Sequence, residues 1–289
     1  MDGRSLKSTV ADAIKAARPR FEAFPDHWQI ASRAIERLTA DDRVLGLYLS
    51  GSFAKGKPDR WSDIDIYVIV PDGAADEVIA SHAALIREVG DIATVFPATH
   101  LGDPHQIIVF YKVNEPLHVD YQYREVGSLA PRRQDSKVMI LLDRTGQLER
   151  WQQACRHEPD GASRGAEQLQ YLETRFWGWC WYTHTKIRRG ELWEAREALE
   201  FVRSNVLLPL AHGEDQLFEG NRRLEQKLNH DLQGRLAATI PASHSASGYS
   251  QALGRIIRTY LELFGAMPAS ALDEVTLVDR DYFIAAIRG

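Results

Sequence analysis

VLGLYLSGSFAKGKPDRWSDIDIYVIV, residues 44–70, reads as strand, glycine turn, short helical loop and strand. The apolar run Val44–Leu49 has strand length and breaks at Gly51-Ser52, where a residue without a Cβ lets backbone amides approach a ligand. The chain re-enters a strand at Asp63-Ile64-Asp65-Ile66-Tyr67-Val68. Alternation there puts Asp63 and Asp65 on one face and Ile64, Ile66 and Val68 on the other. Two adjacent carboxylates repel each other and lose hydration, so such a pair calls for a cation between them. Hard oxygen ligands favour Mg²⁺. The plainer alternative is an ordinary turn followed by a solvated Asp-x-Asp.

Upstream, residues 5–18 have the pattern of a short helix, and Asp26-His27-Trp28 opens a second one that reaches Leu38 through Ile30, Ala34 and Ile35. Downstream, Pro71-Asp72-Gly73 is a turn, and Val78, Ile79, Leu85, Ile86 and Val89 give Asp76–Val89 the spacing of an amphipathic helix. Ile92–Phe96 is a third strand; Gln106–Val113 and Leu117–Tyr123 are two more, joined tightly at Asn114-Glu115-Pro116. On the last of these, Leu117, Val119, Tyr121 and Tyr123 share one face, leaving His118, Asp120 and Gln122 on the other. Asp120 can be a salt-bridged or edge-exposed residue, or a chemical group beside the Asp-x-Asp strand. A single strand histidine such as His118 reads as a hydrogen-bonded neighbour rather than a ligand. Lys137–Leu142 is a final strand, and Gln147–His157 is helical.

The breaker-rich segment Glu158–Ser163 suggests a boundary, giving a sheet domain over 1–158 and a second domain over 159–289. In the second, Leu169, Leu172, Phe176, Cys180, Thr183 and Ile187 recur at three and four residues, the buried stripe of a long helix closed by Arg189-Gly190. Leu192–Leu210 is a second helix forming a hairpin with it, and Asn221–Thr239, Tyr249–Ala266 and Arg280–Ile287 complete a helical bundle. The fold class is therefore an α+β mixed sheet with flanking helices, followed by an all-α bundle. Arg175, Trp179, Tyr182 and Lys186 flank the stripe of the long helix.

With 35 basic against 40 acidic residues the net charge is only −5, and no basic patch points to a nucleic-acid partner. Cys155 and Cys180 have neither disulfide-framework nor zinc spacing, which fits a reducing cytoplasm. No apolar signal core and no run of eighteen apolar residues occurs, so no membrane association is expected.

The order apolar strand, Gly-Ser, about ten residues, apolar-flanked Asp-x-Asp resembles the signature of nucleotidyltransferases of the DNA polymerase β type, complete here as Gly51, Ser52, Asp63 and Asp65. That family carries an Asp or Glu on a later strand beside the Asp-x-Asp strand, and the resemblance makes Asp120 the third carboxylate of the metal site. The segment RFWGWCWYTHTKIRRGELWEAREALEFVRSNVLLPL, residues 175–210, is similar to the helix pair of aminoglycoside adenylyltransferases of the streptomycin-modifying type, on the pattern Trp177 or Trp179, Lys186, Glu191 and Ala195. The loop Phe53–Asp59 has its own residues and departs from that type.

The resemblance implies transfer of a nucleoside monophosphate, AMP from ATP, to a hydroxyl of a small molecule such as an aminoglycoside, with release of pyrophosphate. Asp63 and Asp65 would hold Mg²⁺ and Gly51-Ser52 would cradle the phosphates. Asp120 would complete the metal site or act as general base, and Lys186 would reach the triphosphate. Glu173, Glu191, Glu194 and Glu197 are candidate contacts for a cationic acceptor. The alternatives are transfer to a protein side chain and a non-catalytic nucleotide-binding protein. Base preference and oligomeric state stay open.

Overall fold

The computed structural model describes residues 9–158, 166–212 and 221–288, which divide between two units, Met1–Glu158 and Pro159–Gly289. Of the helix expected over residues 5–18, residues 5–8 lie outside the described residues, as does most of the breaker segment after Glu158. Thr9 caps helix α1 (Val10–Ala17) through a reciprocal pair in which Asp12 N donates to Thr9 Oγ1 and Thr9 N donates to Asp12 Oδ2. Helix α2 (Pro25–Ala40) starts on a proline, whose missing N–H costs nothing at a first turn, and buries Ile30, Ala34, Ile35 and Leu38.

The elements that follow are strand β1 (Gly46–Leu49), helix α3 (Gly51–Lys55), strand β2 (Ile64–Val70), helix α4 (Ala75–Val89), and strands β3 (Ile92–Pro97), β4 (Gln106–Lys112), β5 (Pro116–Glu125) and β6 (Met139–Asp143). Helix α5 (Gln147–His157) ends the unit. The sheet order is β3-β4-β5-β2-β1-β6. Among the described residues β2 and β5 pair in parallel and the other four strand pairs are antiparallel. The parallel pair sits at the centre of the sheet.

One face of that centre is the main core. Ile64, Ile66 and Val68 from β2 and Val119, Tyr121 and Tyr123 from β5 pack with residues of α1, α2 and α4, all of them buried. Full burial of each such aliphatic side chain contributes roughly 1.5–3 kcal/mol. A smaller cluster of Tyr48, Ile69, Val138, Leu148, Trp151 and Cys155 covers part of the opposite face, where Tyr48 and Tyr67 stack at 4.5 Å. The rest of that face carries Asp65 on β2 and Asp120 on β5.

The second unit is helical: α6 (Ala166–Arg189), α7 (Leu192–Val202), α8 (Leu208–Ala211), α9 (Leu224–Lys227), α10 (His230–Ala238), α11 (Ala246–Gly265), α12 (Ala269–Leu272) and α13 (Arg280–Arg288). Gly190, at φ +75°, turns α6 into α7, with Gly190 N donating to Ile187 O and Glu191 N to Lys186 O. All six residues of the expected stripe are buried.

Two expected helices are interrupted. The one over Leu192–Leu210 passes through a π-helical turn at Arg203–Leu207. Arg203 is drawn inward there to bond Thr239, donating from Nε to Oγ1 and from Nη2 to the carbonyl oxygen, each at 2.9 Å. Pro209 follows, without an N–H to continue the ladder. The one over Asn221–Thr239 breaks at Leu228, because Asn229 caps a new helix by accepting from Leu232 N at 2.9 Å. Among the described residues no helix is long and apolar enough to cross a membrane.

Candidate active site

The Gly-Ser turn is built by a backbone that only glycine adopts easily and by an aromatic anchor behind it. Gly51 has φ +63°, and a Cβ placed on it would stand 2.0 Å from Asp65 Oδ2. Ser50 N donates to Asp65 O at 3.0 Å, tying the turn to β2. Phe53 points the other way, stacked on Phe21 at 4.1 Å and edge-on to Phe24 at 5.7 Å. It is one of the residues in which the loop departs from the streptomycin-type pattern, and its role is to seat α3 in the core. Gly56, at φ +68°, ends the short helix, and Lys57 N donates back to Ser52 O at 3.0 Å. Ser52 Oγ is buried and finds no hydrogen-bond partner among the described residues.

The loop into β2 is equally specified. Asp59 Oδ1 accepts from Trp61 N at 2.8 Å, Ser62 Oγ accepts from Asp59 N at 2.9 Å, and the His27 ring bonds Ser62 O at 2.9 Å. This local network delivers Asp63 to the mouth of β2.

Asp65 is paired directly with Asp120 across the parallel ladder, one step after Ile64 with Val119. β5 lies between β4 and β2, and the Asp120 side chain is 10% exposed, which excludes the edge-exposed reading of this residue. His118 Nε2 lies 2.9 Å from Asp120 Oδ1. Its ring stacks on Phe110, its cross-strand neighbour on β4, at 4.8 Å and 13°. The Asp120 hydrogen bond, opposed by burial and reinforced by the charges of Asp120, Asp63 and Asp65, raises the His118 pKa above its ordinary value.

Asp63, His118 and Asp120 each offer a donor atom within 4.8 Å of the others. His118, expected to be only a neighbour, is thus a member of the cluster, while Asp65 leans toward Gly51 instead. The alternation of the strand had already placed His118 and Asp120 on one face; what it lacked was the parallel register that sets Asp63 beside them. Two carboxylates and an imidazole suit a divalent cation, and the turn at Gly51, with the buried Ser52 hydroxyl that has no partner among the described residues, suits an anionic phosphate chain.

The helical unit places its candidates differently. Glu173 is fully buried: its oxygens accept from Tyr260 Oη at 2.7 Å and from Arg280 Nε and Nη2 at 2.8 and 2.7 Å. Burial alone would raise this carboxyl, but the bonds from Arg280 and Tyr260 outweigh it and hold the group below the ordinary range. Glu173 is therefore a structural ion-pair partner, which corrects its reading as an acceptor contact. Trp177 is buried too, packed edge-on against Phe176 and Tyr260, whereas Trp179 meets Phe201 edge-on at 5.1 Å. Lys186 Nζ is held between Glu191 Oε2 at 2.8 Å and Glu194 Oε1 at 3.0 Å, over the Tyr182 ring. Those carboxylates, first Glu191 and then Glu194, raise its pKa.

Residues 31–128 match the family described as nucleotidyltransferase domain. No curated protein matches the chain in sequence. Among solved structures, the crystal structure of an aminoglycoside 6-adenyltransferase from Bacillus subtilis is similar, at 12% identity and a TM-score of 0.37, over 90% of this chain and 94% of that one.

Proposed function

We propose that this chain, a transferase by the nucleotidyltransferase domain it carries, moves AMP from ATP to a hydroxyl of a small polycationic acceptor of the aminoglycoside class and releases pyrophosphate. The observation that carries the reading is the joining of the Gly51-Ser52 turn to the acidic strands: Asp65 touches the turn and pairs with Asp120, which completes the cluster with Asp63.

In this reading the acceptor oxygen forms a bond to the α-phosphorus as the bond from that phosphorus to the β-bridging oxygen breaks and pyrophosphate departs. Asp63 and Asp120, with Asp65 beside Asp120 on the neighbouring strand, would hold the divalent cation, for which Mg²⁺ is the ordinary choice. A cation bound there would supply neutralisation of the charge on the α-phosphoryl and on the leaving pyrophosphate. Ser52 Oγ, without a partner among the described residues, donates to a phosphate oxygen together with the amides of the turn. Asp120 is a ligand of that cation or accepts the acceptor's proton, tasks that both need an ionised carboxylate. Within the helical unit Lys186, paired with Glu191 and Glu194, is the candidate cation for a phosphate, and those two carboxylates, with Glu197, are the candidate contacts for the ammonium groups of the acceptor.

Support for that acceptor class comes from the likeness of the 175–210 segment to the helix pair of aminoglycoside adenylyltransferases and from these carboxylates. The test is pyrophosphate release by the purified protein with ATP against a panel of aminoglycosides and lincosamides. Turnover with at least one aminoglycoside, weakened by added salt because exposed ion pairs are screened over about 8 Å, is the expected result. Turnover on neutral lincosamides alone would reject the acceptor class, and no release with any acceptor would reject the reaction.

A further inference from the structure

We infer that His118 is itself a cation ligand, so that Asp63, His118 and Asp120 form a mixed nitrogen and oxygen site that takes Mn²⁺ or another first-row transition ion in preference to Mg²⁺. The inference rests on the proposed cation-dependent transfer at this face and names the class of ion that one position there selects.

Three observations carry it. The donor atoms of the trio all lie within 4.8 Å of one another, a span that one ion bridges with little closing. His118 Nε2 and Asp120 Oδ1 are 2.9 Å apart. Two ligands at right angles around an ion with bonds of about 2.1 Å stand about 3 Å apart, so this pair already has the spacing of neighbouring ligands. The imidazole is also not free to choose another direction: the Phe110 ring lies nearly parallel to it at 4.8 Å, from the adjacent strand. A ring held edge-on toward two carboxylates is pre-oriented for ligation.

The nitrogen decides which ion is favoured. Mg²⁺ binds all-oxygen sets and gives up its water reluctantly, whereas imidazole suits the transition ions, whose affinity for such a site rises from Mn²⁺ toward Cu²⁺. A site of three carboxylates has no such bias. Replacing one carboxylate by His118 also leaves the cluster one negative charge poorer, which weakens the purely electrostatic hold on Mg²⁺ while leaving the covalent share of a nitrogen bond to a transition ion.

The experiment is Mn²⁺ titration of the metal-stripped full-length protein, followed by the electron paramagnetic resonance of the ion, with Mg²⁺ as competitor. Bound Mn²⁺ should show a directly coupled ¹⁴N nucleus by electron spin echo envelope modulation, and ¹⁵N-histidine labelling should replace that coupling. Mg²⁺ should displace the ion only at about tenfold or greater excess. His118→Asn, which keeps a donor for Asp120, should lose the nitrogen coupling and about tenfold or more in Mn²⁺ affinity, with Mg²⁺ affinity little changed. The labelling arm uses the wild-type protein, so a poorly folding variant does not spoil the test. Bound Mn²⁺ that is abolished by Asp63→Asn yet shows no nitrogen coupling would overturn the inference and leave His118 as a residue that positions Asp120. Equal competition by Mg²⁺, or no bound Mn²⁺ at all, would overturn it as well. A nitrogen-coupled ion in a protein that releases no pyrophosphate would instead sink the transfer reading alone.

Discussion

A Cβ on Gly51 would stand 2.0 Å from Asp65 Oδ2, so the turn and the second strand carboxylate occupy space that only glycine leaves open. The backbone at Gly51 is also left-handed, at φ +63°. Gly51→Ala therefore meets two penalties, conformational strain of about 1–2 kcal/mol and displacement of the Asp65 carboxylate. The variant should melt several degrees lower and lose nucleotidyl transfer. Wild-type turnover in Gly51→Ala would show that the position of Asp65 against the turn is immaterial.

Ser52 separates stability from function. A buried hydroxyl without a partner costs desolvation and gives nothing back to the folded state, so Ser52→Ala should leave the melting temperature unchanged or slightly raised. The same change should lower kcat/KM for ATP by about tenfold or more, because a charge-assisted bond to phosphate is worth about 1.5–3 kcal/mol. Thermal unfolding beside steady-state kinetics checks both halves. A destabilised variant with normal kinetics would return Ser52 to the structural residues.

Much of the sheet was legible because its signals are local. Alternation marked β2 and β5, glycines marked the turn at Gly51 and the end of the long helix at Gly190, and Asp63 and Asp65 stood out against isoleucines. His118 was legible as a hydrogen-bonded neighbour and is one, bonded to Asp120 at 2.9 Å; its closeness to Asp63 was not legible, because it comes from the parallel pairing of β5 with β2 and nothing within LHVDYQY says so. Glu173 was misjudged for a longer-range reason, since its partner Arg280 lies 107 residues away and turns a helix carboxylate into a buried ion pair. The π turn at Arg203–Leu207 follows from a bond to Thr239, equally invisible in its own segment.

Removing that buried pair should be costly. Glu173→Gln keeps the volume but leaves Arg280, only 22% exposed, without its counter-charge. Losing one partner of such a pair costs about 3–5 kcal/mol, somewhat less here because Arg280 retains some water. Denaturant unfolding should show the loss, while the Michaelis constant for the acceptor, measured where the variant is folded, should not move. A raised Michaelis constant with unchanged stability would restore Glu173 as an acceptor contact.

His82 and Asp41 give the fold two separate pH windows. The His82 ring is buried and bonded to Tyr123 Oη at 3.1 Å and Asp41 Oδ2 at 3.0 Å. Burial pushes its pKa below the ordinary value of 6.5, although the Asp41 bond opposes this. The unfolded chain then binds more protons, so stability is lost as pH falls through 6.5 and below. Asp41 is held well below its ordinary 3.8, first by the Arg43 side chain, and its contribution is lost only as pH falls below that value. The melting temperature should fall between pH 7 and pH 5 and again below pH 4, and His82→Gln should flatten the first step alone. A first step of full size in His82→Gln would assign it to another group.

The direct measurement is transfer of label from ATP carrying ³²P at the α-phosphate. With wild-type protein, a divalent cation and an aminoglycoside, label should move to the small molecule in step with pyrophosphate. Asp63→Asn, folded by circular dichroism, should transfer about 100-fold less or worse, because a neutral amide cannot hold the cation. Label that stays in ATP with every hydroxyl acceptor and every cation, or transfer by Asp63→Asn at the wild-type rate, would contradict the account.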